Sequence, residues 1–467
     1  MSEPSEEPTG WARLRAVWLS VLGLSWPVMT EQVLRTLMRT TDVIVAGVFS
    51  PAAVAAVGLA DIYARLPLWF GLGVGDGAIA LSSQDTGSGA TANRDEAVST
   101  ALTLGVLAGI PFAAFGLLFD QAAISVLGAE REVVLIGASY LAIILLSSPA
   151  RHVTLIAARS IQGTGDTRTP MYVNLAANAL NIGLTVGLAF GVAGLPEYGV
   201  VGIAIATAVA DVLAALTFLL VLASERTPIT LVQPSDLVIA KQLVLISAPR
   251  IAEGLSEVVA QFPFNAILLA FGTEVNAAYH IGMRLYQQIA APLSRGYGVA
   301  ANVLVGQALG RGEAETAYYD GLATTALGAI TVGGLGAVLF FQAEAFVSLF
   351  TRDPVTIGYA ADFARAYAVA TVLIAPYAIL AGSLRGGSET RSPFVAKVTG
   401  TFVFLLGMTY VGGVWLEYGV VAAYVAIVAD YLWRDLVLGS VYYRRNWIER
   451  GTRMMRERGS LDTAGDE

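Results

Sequence analysis

The stretch PVMTEQVLRTLMRTTDVIVAG, residues 27–47, lies inside an apolar run long enough to cross a bilayer, yet it carries Glu31, Arg35, Arg39 and Asp42. Steps of four, four and three place these four side chains on one stripe of a helix. A charge in hydrocarbon costs about 2.5–3.5 kcal/mol even on the most lenient insertion scale, so the stripe cannot face lipid. It must face protein or a water-filled cavity, and Asp42 is the principal candidate for a functional group. The structural alternative is a permanent salt bridge from Asp42 to Arg39 or Arg35.

The surrounding composition agrees. Of 467 residues, 55% are hydrophobic and 14% charged, where soluble domains carry about 25% charged residues. Mean hydropathy is +0.65. This reads as an all-α, polytopic membrane protein, since β-barrels alternate apolar and polar residues. Cysteine is absent and histidine occurs only at His152 and His280, which excludes disulfides, thiolate chemistry and a histidine-rich metal centre. The opening MSEPSEEPTG is acidic where a secretory signal would be basic, so the first span is expected to be retained. Lysine occurs only at Lys241 and Lys397, and the net charge is −8. That balance fits a halophile or, equally, a high-GC genome, and it argues against nucleic-acid binding.

Crossing a bilayer takes about 20 apolar residues. Candidate spans lie near 16–48, 53–81, 97–119, 132–157, 170–193 and 199–222, then near 240–270, 276–308, 316–341, 358–383, 393–415 and 419–442. The expected organisation is an N-terminal tail (1–15), an N-lobe of six helices (16–222), a linker (223–239), a C-lobe of six helices (240–442) and a C-terminal tail (443–467). Arginines segregate to alternate loops, which predicts both termini in the cytoplasm of a cell (inner) membrane protein. The tail run RRNWIERGTRMMRER reads either as a basic amphipathic helix on an anionic leaflet or as a solvated tail.

The two halves repeat. QGTGDTRTP (162–170) returns as RGGSETRSP (385–393), EYGVV (197–201) recurs unchanged at 417–421, PVMTE (27–31) answers to PRIAE (249–253), and SQDTGSG (83–89) to GQALGRG (306–312). With an even number of spans per half, both halves insert the same way up. They would then be related by a pseudo-two-fold axis along the membrane normal. Glycines and an arginine in the 162–170 and 385–393 loops suggest an anion cradle, but the GK[ST] ending of a P-loop is missing. Helix stops at the glycines and restarts at Thr169–Pro170 and Ser392–Pro393 are the better expectation.

On Pro27 with Asp42, GTGDTRTP (163–170), NALNIGL (178–184), LVGQALGRG (304–312) and GSETRSP (387–393), the chain resembles the multidrug and toxic compound extrusion (MATE) family, in its archaeal/DinF-like branch. The likeness covers residues 16–442. It implies two six-helix bundles that alternate between inward- and outward-open states, and export of a cationic or amphipathic drug-like compound against H⁺ or Na⁺, with no cofactor. It also implies a coupling site in which Asp42, Asn181 and Thr207 match the family pattern, while Thr185 stands where the pattern has a second aspartate. Na⁺ on Asp42, Asn181, Thr185 and Thr207, or simple protonation of Asp42, are both open on this reading. Other branches carry a working acid eight residues after the proline of the seventh helix, and Glu257 has that spacing from Pro249.

Glu257 and Glu253 thus form a second candidate site, against which stands an internal pairing with Arg250 and Arg284. Together with Glu31, Arg35 and Arg39, these arginines are the expected charge partners. The rival functions are a lipid-linked precursor flippase or polysaccharide exporter and, in another class, a membrane-embedded enzyme. With no Cys and two isolated His, the enzyme is disfavoured. The protein is expected to act as a monomer on a small molecule in a lipid bilayer.

Overall fold

The computed structural model describes residues 10–461, so the outer parts of both expected tails, 1–9 and 462–467, lie outside the described residues. Sixteen α-helices occur among the described residues. The first half contains Trp11–Phe49 (α1), Pro51–Ser88 (α2), Thr91–Ser125 (α3), Arg131–Leu146 (α4), Ser148–Gly163 (α5), Arg168–Phe190 (α6) and Val200–Leu222 (α7). The second contains Leu237–Ala270 (α8), Thr273–Ile289 (α9), Ala291–Gly310 (α10), Ala314–Phe341 (α11), Ala343–Val347 (α12), Pro354–Gly386 (α13), Arg391–Thr399 (α14), Val421–Arg444 (α15) and Asn446–Glu457 (α16).

These helices make twelve spans in two sets of six. In the first half α4 and α5 form one span bent by 46°, at a break followed by Pro149, which cannot donate a helical hydrogen bond. In the second half α9 and α10 together make the second span, the counterpart of α2, and α14 runs on into π-helical turns at Gly400–Met408 and Val411–Trp415. By length and composition seven of the described helices are apolar enough to cross a membrane, or eight with the bent pair taken as one. The other spans hold several of the charged groups described below.

The chain forms two compact units that are not split at the linker. One takes the residues up to Met29 together with Ala252–Met454, and the other takes Thr30–Ile251 and the residues from Met455 onward. Three helices therefore change allegiance: α1 and α8, each two residues after a proline (Pro27 and Pro249), and α16 between Met454 and Met455. A proline leaves one helical carbonyl unpaired and loosens the coupling between the segments on either side. The divisions 16–222 and 240–442 are both crossed in this way. The first segment of α1 packs with second-half helices: Trp18 Nε1 donates to the Ala323 carbonyl at 2.9 Å, and Arg13 sits 4.2 Å from the Tyr319 ring centroid. A Cβ on Gly296 would stand 3.0 Å from the Ser25 carbonyl oxygen, and one on Gly73 3.1 Å from that of Ser247, so the repeat preserves the same close approach.

The linker is anchored, not loose. Glu96 accepts the backbone N–H groups of Ser235 and Asp236 at 2.5 and 2.7 Å, and Ser99 Oγ accepts that of Val232 at 2.9 Å. Asp236 then caps α8 through Val238 and Ile239.

The loop motifs also act through their acids. α6 begins at Arg168 and α14 at Arg391, slightly before the Thr–Pro and Ser–Pro starts expected from sequence. Asp166 Oδ1 accepts from the amides of Arg168 and Thr169 at 3.0 and 2.9 Å, and Glu389 Oε1 accepts from that of Ser392 at 2.9 Å. A carboxylate satisfies these otherwise orphaned N–H groups better than the neutral threonine or serine beside the proline.

The run RRNWIERGTRMMRER turns its apolar face neither to solvent nor to a leaflet. Trp447, Met454 and Met455 of α16 are buried against protein, and Arg450 donates to Glu389 at 2.9 Å.

Gly382 shows how tightly the second half is packed. A Cβ there would lie 2.1 Å from the Gly298 carbonyl oxygen, a distance backbone atoms cannot relieve without parting α10 from α13. Gly382→Ala is expected to destabilise the protein by about 1–3 kcal/mol, as overpacked cores do. A thermal melt in detergent at or above the wild-type temperature would contradict this.

Candidate cation-coupling site

Asn181 and Thr185 are one turn apart on α6 and so share a face. Thr207 on α7 and Asp42 on α1 meet that face. Thr185 Oγ1 donates to Asp42 Oδ1 at 3.2 Å and lies 3.5 Å from Asn181 Oδ1. A hydroxyl has one proton, and the shorter contact assigns it to the carboxylate. Asn181 Nδ2 donates to Thr207 Oγ1 at 3.1 Å, which turns the amide carbonyl toward Thr185. Thr207 donates in turn to the Ile203 carbonyl at 3.1 Å. Asp42, Asn181 and Thr185 are 7%, 1% and 0% exposed. Four residues separated by up to 165 positions thus form one buried cluster of hard oxygen donors around a single carboxylate.

Among the described residues no group of three or more His, Cys, Asp or Glu side chains is placed to hold a metal ion. The donor set at Asp42 suits a proton or a weakly charged alkali cation rather than a divalent one.

The rest of the α1 stripe divides. Arg39 lies in the electrostatic reach of Asp42, whose hydrogen-bond partner is Thr185. Glu31 is buried and faces Arg35, Arg159 and the Asn174 amide.

The second candidate site draws charge partners from several helices. Arg250 Nε meets Asp76 at 2.8 Å and lies 5.3 Å from the Trp69 ring centroid. Glu253 accepts from Arg385 at 2.8 Å and from Tyr377 Oη at 3.3 Å, and Glu257 pairs with Lys397. The expected pairing with Arg284 does not form. Arg284 is exposed, off the buried α9 face of Val275, Ala278, Tyr279, Gly282 and Leu285, and has no carboxylate within 4 Å among the described residues. Asp430 and Arg434, one turn apart on α15, form a buried pair, and Arg434 donates to Thr401 at 3.0 Å. A Cβ on Gly400 would collide with the Asp430 carboxylate at 2.3 Å, so the π-helical turn begins where the pair needs room.

Sequence reasoning overlooked Arg385, Lys397, Arg434, Arg151 and Arg159 as site residues. Arg159 and Arg385 fall just beyond the expected spans 132–157 and 358–383, yet both lie within helices. The available signals were Lys397 as one of two lysines, inside an apolar run, and the four-residue spacing of Asp430 and Arg434.

The MatE family model matches residues 27–186 and 249–411, one block in each half. The chain belongs to the MATE family. It is therefore a multi-pass membrane transporter rather than an enzyme, and works by ion coupling without a cofactor. A probable multidrug resistance protein NorM of Thermotoga maritima is 26% identical over 446 residues, 94% of each chain. Among solved structures, the outward-facing conformation of a multidrug resistance MATE transporter superposes with a TM-score of 0.86 at 21% identity, covering 95% of this chain and 100% of that one. A MOP superfamily transporter from Pyrococcus furiosus, described as having a binding pocket of reversed polarity, gives 0.84 at 19% identity over 96% and 99%. At these identities the structural likeness shows the fold alone.

Proposed function

We propose that this MATE transporter is a secondary active multidrug exporter. It would move amphipathic or cationic small molecules out of the cell against an inward ion gradient, by alternating access of its two lobes. The observation that carries the coupling step is the buried Asp42 carboxylate bonded to Thr185 beside Asn181. A bare carboxylate in a membrane span is costly, so loading an ion on Asp42 changes which arrangement of the surrounding helices is favoured.

The proton is the proposed coupling ion. Thr185 and Thr207 already spend their hydroxyl protons on Asp42 and Ile203, and one carboxylate supplies a single negative charge. Na⁺ would need these oxygens turned toward it and several further ligands. The functional unit is taken as a monomer in the inner membrane, with both termini in the cytoplasm.

The test is efflux from proteoliposomes driven separately by a pH gradient and by a Na⁺ gradient. Efflux driven by pH alone supports the proposal, and efflux driven by Na⁺ alone replaces the proton with sodium. Thr185→Asp adds a second carboxylate and is expected to shift the dependence toward Na⁺. An unchanged ion dependence in that variant would separate Thr185 from coupling.

A further inference from the structure

Four arginines converge within the unit that holds Asp42. Arg35 and Arg39 lie one turn apart on α1, while Arg151 and Arg159 lie two turns apart on one face of α5. Arg35 lies in the electrostatic reach of the other three. Among the described residues, none of Arg35, Arg151 and Arg159 has a carboxylate within 4 Å, and Arg159 hydrogen-bonds only the neutral Gln162, at 3.3 Å. By contrast Arg65, Arg250, Arg385, Lys397 and Arg434 each hold a carboxylate directly.

The acids facing this group are Glu31, Asp42 and Asp211, three against four guanidinium groups. Asp211 of α7 feels Arg151 and Arg35 and accepts from Ser147 Oγ at 3.3 Å. Asp42 is engaged with Thr185. Glu31 Oε1 is buried without a hydrogen-bond partner.

Arg35, Arg151 and Arg159 are half-buried and Arg39 is exposed, so these side chains reach space that protein does not fill. Arg35, Arg151 and Arg159, with no carboxylate within 4 Å among the described residues, are too costly to face lipid. These three like charges are tolerable together where water and an incoming counter-charge complete them. The guanidinium fork matches a carboxylate or phosphate through two parallel hydrogen bonds, which the exported compound can supply.

We propose that Arg35, Arg151 and Arg159, with Arg39 beside them, form an anion-recognising wall. On this basis, which rests on the exporter reading above, the transported compounds are amphipaths carrying a carboxylate or phosphate, zwitterions included, rather than simple organic cations. The acid group is carried either by a soluble drug-like molecule or by a lipid-like chain, and both present the same chemistry to the arginines.

Binding to the full chain in nanodiscs tests this with three probes: norfloxacin, its ethyl ester (which lacks the carboxylate) and dodecyl phosphate. Wild type is expected to bind norfloxacin about tenfold or more tightly than the ester, the worth of a charge-assisted contact. Arg35→Gln and Arg159→Gln should each erase most of that preference, and Arg35→Lys should restore part of it. Thermal melts of the same preparations confirm that the variants are folded. Dodecyl phosphate displacing norfloxacin at lower concentration than unlabelled norfloxacin would support the wall with a lipid-like source. The reverse order would support it with a soluble one. Equal wild-type affinity for acid and ester, or a preference that survives in both glutamine variants, overturns it. Gradient-driven ethidium efflux run alongside separates the two readings. Ethidium export without acid preference removes the wall and leaves the exporter. Acid preference in binding with no gradient-driven efflux of norfloxacin or ethidium leaves the wall and removes the exporter.

Discussion

Asp42→Asn is expected to reduce gradient-driven efflux to the background of protein-free vesicles while leaving the protein folded. Asparagine has nearly the same shape as aspartate, and its carbonyl can still accept the Thr185 hydroxyl now 3.2 Å from Oδ1. What it cannot do is change charge. Without a group that alternates between neutral and negative, ion entry no longer biases one arrangement of the helices over the other, and a ligand that shifts no equilibrium does no work. Substrate binding, measured at equilibrium, should survive, and the loss should be the same at every external pH. Efflux retained in Asp42→Asn would remove this carboxylate from coupling and direct attention to the Glu257–Lys397 pair, where Glu257→Gln is the next substitution.

Arg458→Ala is expected to have the largest effect on stability. Arg458 follows α16 and is wholly enclosed, as is its partner Asp85 near the end of α2, with N···O at 2.6 Å. Its other contacts are to Gln84 Oε1 at 2.9 Å and Gln242 Oε1 at 3.1 Å, and Asn93 Nδ2 holds the Arg458 carbonyl at 2.7 Å. Both charges have been taken out of water at high cost, and only their mutual attraction offsets it. Removing one partner leaves a buried carboxylate uncompensated, which typically destabilises by about 3–5 kcal/mol. Asp85 Oδ2 already lacks a hydrogen-bond partner, and Arg94, which also lies in its electrostatic reach, is already paired with Asp95. Arg458→Ala combined with Asp85→Asn should recover part of the loss, because it removes the orphaned charge. A double variant no more stable than Arg458→Ala would mean that the guanidinium acts by packing and by its contacts to Gln84 and Gln242.

The twelve spans were legible because hydropathy records a segment's need to leave water, whatever it then packs against. Each expected run matches one helix or one broken pair, and the bend between α4 and α5 falls at a proline visible in the sequence. Asp42 was legible for the same reason, as a charge too costly to place in lipid. Asn181, Thr185 and Thr207 are common residues in apolar helices, and only their positions in a family pattern, which Thr185 departs from, singled them out before the contacts showed them in one cluster.

The pairing of charges was not legible, because it depends on distances between residues far apart in the chain. Glu257 and Lys397 are 140 positions apart, Asp85 and Arg458 are 373 apart, and no local spacing announces either pair. Arg250 and Glu253 are three residues apart on one helix, and no spacing in the sequence announces that tertiary packing brings Asp76 to the first and Arg385 to the second. The exchange of α1 and α8 between units was hidden for a related reason. A proline marks where a helix can divide its contacts, but which neighbours each segment gains is decided by the surfaces it meets. The sequence by itself thus determined the membrane-spanning helices, their six-plus-six repeat and the acids that cannot face lipid, through local costs of burial. Only the tertiary structure decided which charges are neutralised and which arginines remain without a carboxylate, because electrostatic partnership is a matter of distance in space.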